Sequence, residues 1–241
     1  MLIEICANSY QSAINAEKAG ANRIELCSEL AIGGITPSYG LLKKIMNKLT
    51  IPVHVLIRPR SGDFTFSDTE FGIMKENISL CKDLGVTGIV SGVLHTNNTI
   101  DIERTQELVA HSKPMNFTFH RAFDWVLNPE EALKQLEKIG VERILTSGQE
   151  ASAEKGIDHL VHWNKFANIS IMPGGGIHTS NIKLFQENDF KEVHLSASKQ
   201  IKTIDQPKIS MNSSKHFEET QVAVSDVQKI KDCIAQLSNE N

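Results

Sequence analysis

Cysteine is scarce in this chain, with four residues in 241. Spread over that length, they exclude a disulfide framework of the kind that staples small secreted domains. Positive charge is not in excess either: 25 Lys and Arg stand against 29 Asp and Glu, a formal net charge of -4. With no basic excess to mark a nucleic-acid or anionic-membrane partner, small-molecule or ion chemistry is expected. No apolar run approaches the roughly 20 residues of a membrane-spanning helix. The chain enters the strand-like run Leu2 to Ile5 without a basic start and long apolar stretch, so a non-secreted, cytoplasmic protein is expected. Low-complexity tracts and an early Gly-x-Gly-x-x-Gly fingerprint are also missing.

What is present is alternation. Short apolar runs around Ile3, Ile24, Val53, Ile89, Phe117, Ile144, Ile169 and Val193 recur every 21 to 36 residues. Helical patterns fit between and after them, over Ser9 to Ala19, Tyr39 to Lys48, Asp68 to Leu84, Ile102 to His111, Pro129 to Ile139, Ala153 to Trp163, Thr179 to Gln186 and Val224 to Leu237. Gly20, Gly85 and Gly140 follow three of these as left-handed caps, and Asn128-Pro129-Glu130-Glu131 is a plain helix start. Eight strand-helix units in one domain spanning residues 1–241 predict an α/β TIM (β/α)8 barrel over a doubly wound sheet. The polar stretch 199–221 lacks periodicity and reads as a long loop before the last helix.

Glu4-Ile5-Cys6 is echoed 21 residues later by Glu25-Leu26-Cys27, each copy closing a strand-like run. On parallel neighbours, period-2 alternation puts Glu4, Cys6, Glu25 and Cys27 on one face. Cys6 and Cys27 could then share a soft metal ion, form a disulfide, or pack as small hydrophobes. Register decides, and the sequence does not fix it. Cys81 and Cys233 fall on apolar helix faces and read as core.

In a TIM barrel the strand ends and the loops after them form the active face. Alternation sends His54 and Arg58 to the lumen, where Arg58 needs an acid such as Glu4 or Glu25. His120 ends the fifth strand as a general acid or base, a metal ligand or a satisfied core histidine, and Asp124 either orients it or caps a turn. His194 is a second luminal candidate. Gly174, Gly175 and Gly176 end the seventh strand and open a helix, where backbone N–H groups could hold an anion together with Arg58. Gly33-Gly34 reads as a turn. His95, His111, His159, His162, His178 and His216 are assigned mostly to surface, with no carboxylate or cysteine beside His159 and His162 to complete a metal site.

Glu4 to Ala7, Arg23 to Ser28 leading into Gly33 to Ser38, Ile57 to Arg60, Phe119 to Asp124, Leu145 to Gly148 and Pro173 to Gly176 together resemble the CutC family, named for copper homeostasis. The likeness runs over nearly the whole chain and thins after Ser198. It implies a cytoplasmic TIM barrel, usually a homo-oligomer, that handles copper and binds Cu(I) through Cys6 and Cys27. The alternative is an enzyme acting on a small anionic or phosphorylated metabolite, with His120 as acid or base and Glu25 assisting it or holding Arg58. If the luminal charges only neutralise one another, a barrel without turnover is expected instead.

Overall fold

The computed structural model describes residues 1–211 and 218–238. Eight short strands, β1 (Leu2–Ala7), β2 (Arg23–Leu26), β3 (Val53–Leu56), β4 (Gly88–Ser91), β5 (Asn116–Phe119), β6 (Arg143–Thr146), β7 (Ser170–Pro173) and β8 (Glu192–Leu195), form one parallel sheet in the order β7-β6-β5-β4-β3-β2-β1-β8. A single parallel bridge, Gly174 to His194, spans the remaining gap and closes the TIM barrel. Helices α1 (Tyr10–Ala19), α2 (Tyr39–Met46), α3 (Asp68–Asp83), α4 (Ile102–Ser112), α5 (Pro129–Lys138), α6 (Ile157–Phe166), α7 (Ile182–Glu187) and α8 (Val227–Ser238) cover it.

Local chemistry sets the helix ends. Ser9, Ser38, Ser67 and Asp101 each accept a backbone N–H of the first turn, and Ser67 with Glu70 forms a reciprocal capping box. Gly20, Gly85 and Gly140 all take positive φ, as their places after helices predict.

The barrel has two apolar regions that do not merge. Outward strand residues such as Ile3, Ile5, Ile24, Val53, Val55, Ile89, Phe117, Ile144 and Val193 join the helices in the main core. Inside, Cys6, Cys27, Leu56 and Val90 form a small separate cluster, with Leu30 packed against it. Below that cluster the lumen is polar: Glu4, Arg23, Glu25, His54 and Glu192 are all at most 5% exposed.

Three readings of the sequence change. The 199–221 loop begins and ends in an antiparallel ribbon, β9 (Ser198–Lys202) and β10 (Gln221–Ser225), in which the two mostly exposed ends satisfy each other's backbone groups; its residues 212–217, and with them His216, lie outside the described residues. Val224 belongs to that ribbon, so the last helix starts at Val227. The helix expected from Ala153 starts at Ile157, because Gly156 packs its backbone against Ser147 and Gly148 and breaks the pattern.

Candidate functional site

The floor of the lumen is an ionic network. Register places Arg23 beside Glu4 and His194 on its other side, since β1 pairs with both β2 and β8. Arg23 bonds Glu4 through Nε and Glu192 through Nη2 at 2.9 Å, and Arg143 bonds the other oxygen of Glu192. His194 donates from Nδ1 to Glu4 at 2.8 Å, while Oε2 of Glu25 stands 3.7 Å away without a hydrogen bond. Burial alone would raise Glu4, but the His194 hydrogen bond and the charges of Arg23 and His194 hold it far below the usual carboxylate range. For Glu25 burial wins and pushes the carboxyl up to about 7. Burial would lower His194, yet its bond to Glu4 and the charges of Glu25 and Glu4 raise it. His54 lies under the same group, and burial brings it down to about 4. Its ring fits because Gly88 has no Cβ, which would come within 2.4 Å of it.

These pairings neutralise most of the luminal charge, as the barrel without turnover required. Glu25 is the exception. Ligand atoms of Glu4, Glu25 and His194 lie within 4.8 Å of one another, so a cation could replace the proton that His194 now holds between the carboxylates.

Cys6 and Cys27 do meet. Their sulfurs are 3.7 Å apart and both residues are free thiols, at 6% and 0% exposure. The contact with Cys27, burial and the charges of Cys27, Glu25 and Glu4 all push the Cys6 thiol well above its ordinary value. Cys81 and Cys233 are each 1% exposed, as core positions should be.

Above the thiols opens a mouth pocket of about 690 Å³, reached by Cys6, Glu25, Arg58, His120, Arg121 and His194. His120 is buried at the end of β5 with Nδ1 accepting from Ala122 N–H at 3.2 Å. Burial and then the Arg58 charge lower it to about 3, so the ring is neutral with its proton on Nε2, an atom without a hydrogen-bond partner among the described residues. A ring this hard to protonate is a poor general base and a fixed N–H donor.

Two expected roles fall elsewhere. Arg58 pairs with neither Glu4 nor Glu25: it lies two residues beyond β3 and donates to the carbonyls of Ile32 and Gly34, both at 3.0 Å, and of Gly62 at 2.6 Å. Its guanidinium stacks on Phe64 and ties the loops after β2 and β3 together. Asp124 does not reach His120. The 3-10 turn Arg121–Trp125 carries it to the end of β6, where it accepts from Thr146 Oγ1, Ser147 N–H at 3.0 Å and Gln149 N–H at 3.3 Å. It also holds Arg121 Nε at 2.7 Å.

That makes Arg121 the cation the sequence reading overlooked. Its side chain is 46% exposed and lies against Gly175, where an added Cβ would sit 3.4 Å from Nη1. Position directly after His120 was the available signal. Of the glycine triplet, Gly175 and Gly176 line the mouth, whereas Gly174 makes the closing bridge and leaves no room for a Cβ beside Leu145. The triplet does not open a helix, since α7 begins only at Ile182. Arg23, Arg143 and Glu192 were also missed, although each shares strand parity with an inward neighbour. Outside the site, His162 does have a carboxylate beside it, Glu130 at 2.8 Å, but both are surface groups.

A family model described as the CutC family matches residues 1–199. The family protein CutC of Proteus mirabilis is 46% identical over 199 residues, covering 82% of this chain and 80% of that one. That of Photorhabdus laumondii is 47% identical over 198 residues, with 82% and 80% covered. Among solved structures, a CutC protein of Streptococcus agalactiae named for copper homeostasis aligns with a TM-score of 0.77 at 35% identity, over 81% of this chain and 98% of that one. Thiamine phosphate pyrophosphorylase of Pyrococcus furiosus, at 10% identity and a TM-score of 0.61 over 98% of this chain and 95% of that one, shares the fold alone.

Proposed function

The chain belongs to the CutC family, and on that premise we propose that it serves copper homeostasis by holding one Cu(I) between the thiols of Cys6 and Cys27. The 3.7 Å approach of the two sulfurs carries this reading. Soft thiolates select Cu(I), and two ligands from adjacent strands suit its low coordination. Leu30, Leu56 and Val90 pack against the pair and give it an apolar side. The neighbouring carboxylates of Glu25 and Glu4 oppose thiolate formation, so the ion must displace protons to bind, which makes the site one for transient loading. A reducing cytoplasm keeps such thiols free, and a homo-oligomer is the assembly we assign; light scattering on the purified chain tests the latter. The site itself is tested by a Cu(I) competition titration of Cys6→Ser/Cys27→Ser. A tenfold or larger loss of affinity is expected, and an unchanged affinity removes the cysteines from the account.

A second reading has its own observation: Arg121 stands exposed at the rim of a mouth that also holds Glu25 with an unpaired oxygen. That favours an enzyme acting on a small anionic metabolite. Carboxylate compounds should then raise the melting temperature of the native chain but not of Arg121→Ala. No shift with any of them would count against it.

A further inference from the structure

We propose that the groove between α7, the end of β8 and α8 is a second anion site, which takes the phosphoryl group of a phosphorylated metabolite whose remainder lies in the mouth pocket. This rests on the enzymatic reading above and assigns its substrate class.

The groove has a volume of about 710 Å³. Its charged lining consists of Lys183 from α7 and Lys229 from α8, and no Asp or Glu lines it among the described residues. In a chain of net charge -4, a concave surface bearing only cationic charge departs from the average surface. Thr179, Ser180, Ser196 and Ser198 line the same groove with His178, their hydroxyls bonded to Cys233, to His178 and to each other, so an anion would have to draw them out of these bonds. Lys229 is held in place by its bond to the Ser198 carbonyl at 2.8 Å, which leaves further N–H groups to donate. Ammonium groups with hydroxyl donors and no competing carboxylate recognise a phosphate.

Location supports the same ligand. The groove lies past the C-terminal ends of β7 and β8, where barrels frequently hold phosphate. Ile177, Leu195 and Ser196 line both the groove and the mouth pocket, so the two chambers adjoin at these residues, and the proposed ligand crosses over them. Each chamber is larger than a phosphate needs, and an extended ester fills the pair better than a bare anion. The α8 wall, with Lys229, falls beyond residue 199, where the match to the family model ends.

The test is titration of the full chain with inorganic phosphate, ribose and ribose 5-phosphate, followed by calorimetry and by broadening of the phosphorus resonance. Ribose 5-phosphate should bind at least tenfold more tightly than ribose. Lys183→Ala/Lys229→Ala should lose that advantage, and Lys183→Arg/Lys229→Arg should recover most of it. An unchanged affinity in the alanine pair overturns the groove. If instead Arg121→Ala alone abolishes binding, the anion sits in the mouth, so the groove fails while the enzymatic reading stands. Failure of the native chain to bind either phosphate compound overturns the groove; failure also with the carboxylates tested above removes the enzymatic reading with it. Both lysines lie outside the buried core, and matched melting temperatures confirm that the variants fold.

Discussion

Glu4 and Glu25 face one imidazole, 2.8 and 3.7 Å from Nδ1 of His194, and only Glu4 is hydrogen bonded to it. Two carboxylates of the same burial are therefore in opposite states, one held ionised by its partners and the other pushed toward the neutral acid.

Substitution should separate them. Glu4→Gln leaves buried Arg23 with Glu192 alone and buried His194 without its hydrogen-bonded counter-charge, and is expected to cost about 3–5 kcal/mol. Glu25→Gln removes an unpaired buried carboxylate and should change stability by less than about 1 kcal/mol at pH 8. Urea unfolding of both variants measures this, and equal losses would contradict the assignment.

Acid should act through His120. Its folded-state pKa is lowered to about 3 by burial, against an ordinary 6.5, so on acidification the unfolded chain takes up the proton first. The stability this neutral ring contributes is complete above pH 6.5 and falls with pH until about 3. Between pH 6.5 and 4.5 that is roughly 2 kcal/mol, which His120→Asn should not lose. His54, brought down to about 4, adds a loss of the same sign, and Glu25, raised to about 7, opposes it by gaining its proton in the folded state first. The comparison of native and His120→Asn unfolding at the two pH values isolates the one ring.

Copper loading should depend on pH in the same direction. Because Cys6 is held protonated, each Cu(I) bound at the pair releases at least one proton, and apparent affinity should rise about tenfold or more per pH unit. A competition titration at pH 6, 7 and 8 gives the slope, and a flat profile would exclude thiolate ligation.

Gly156→Ala should reach the mouth from outside it. An added Cβ would stand 2.1 Å from the Ser147 carbonyl oxygen, a backbone atom that cannot swing aside. Ser147 anchors Arg121 by a 2.9 Å bond, so the variant should lose about 2–4 kcal/mol and weaken any anion binding that needs Arg121. A melting curve and a phosphate titration on the same sample check both effects.

Alternation was enough to place Glu4, Cys6, Glu25, His54 and His194 inside the barrel, because a period of two requires only that strands exist. It could not say who meets whom. Arg23 finds Glu192 across 169 residues of sequence, and that pairing depends on β8 docking beside β1. Arg58 obeyed the alternation until β3 ended at Leu56; beyond that the loops supplied carbonyls that no pattern announces. Asp124 was moved by a 3-10 turn of five residues, a shift that spacing alone does not encode. Ser198 to Lys202 reads as polar because four of its five positions stay exposed as a strand.

The seam between β1 and β8 also bears on how the chain reaches this state. Leu2 pairs with Glu192 and Glu4 with His194, so the last barrel strand to be synthesised completes the environment of the first. Contacts so distant in sequence form late and slowly. Until β8 docks, Glu4 and Arg23 lack His194 and Glu192, and a chain ended before residue 192 would strand both in a half-built interior. The charged lumen thus works as a checkpoint on assembly: an incomplete barrel is penalised at its centre, and only the closed one balances its buried charge.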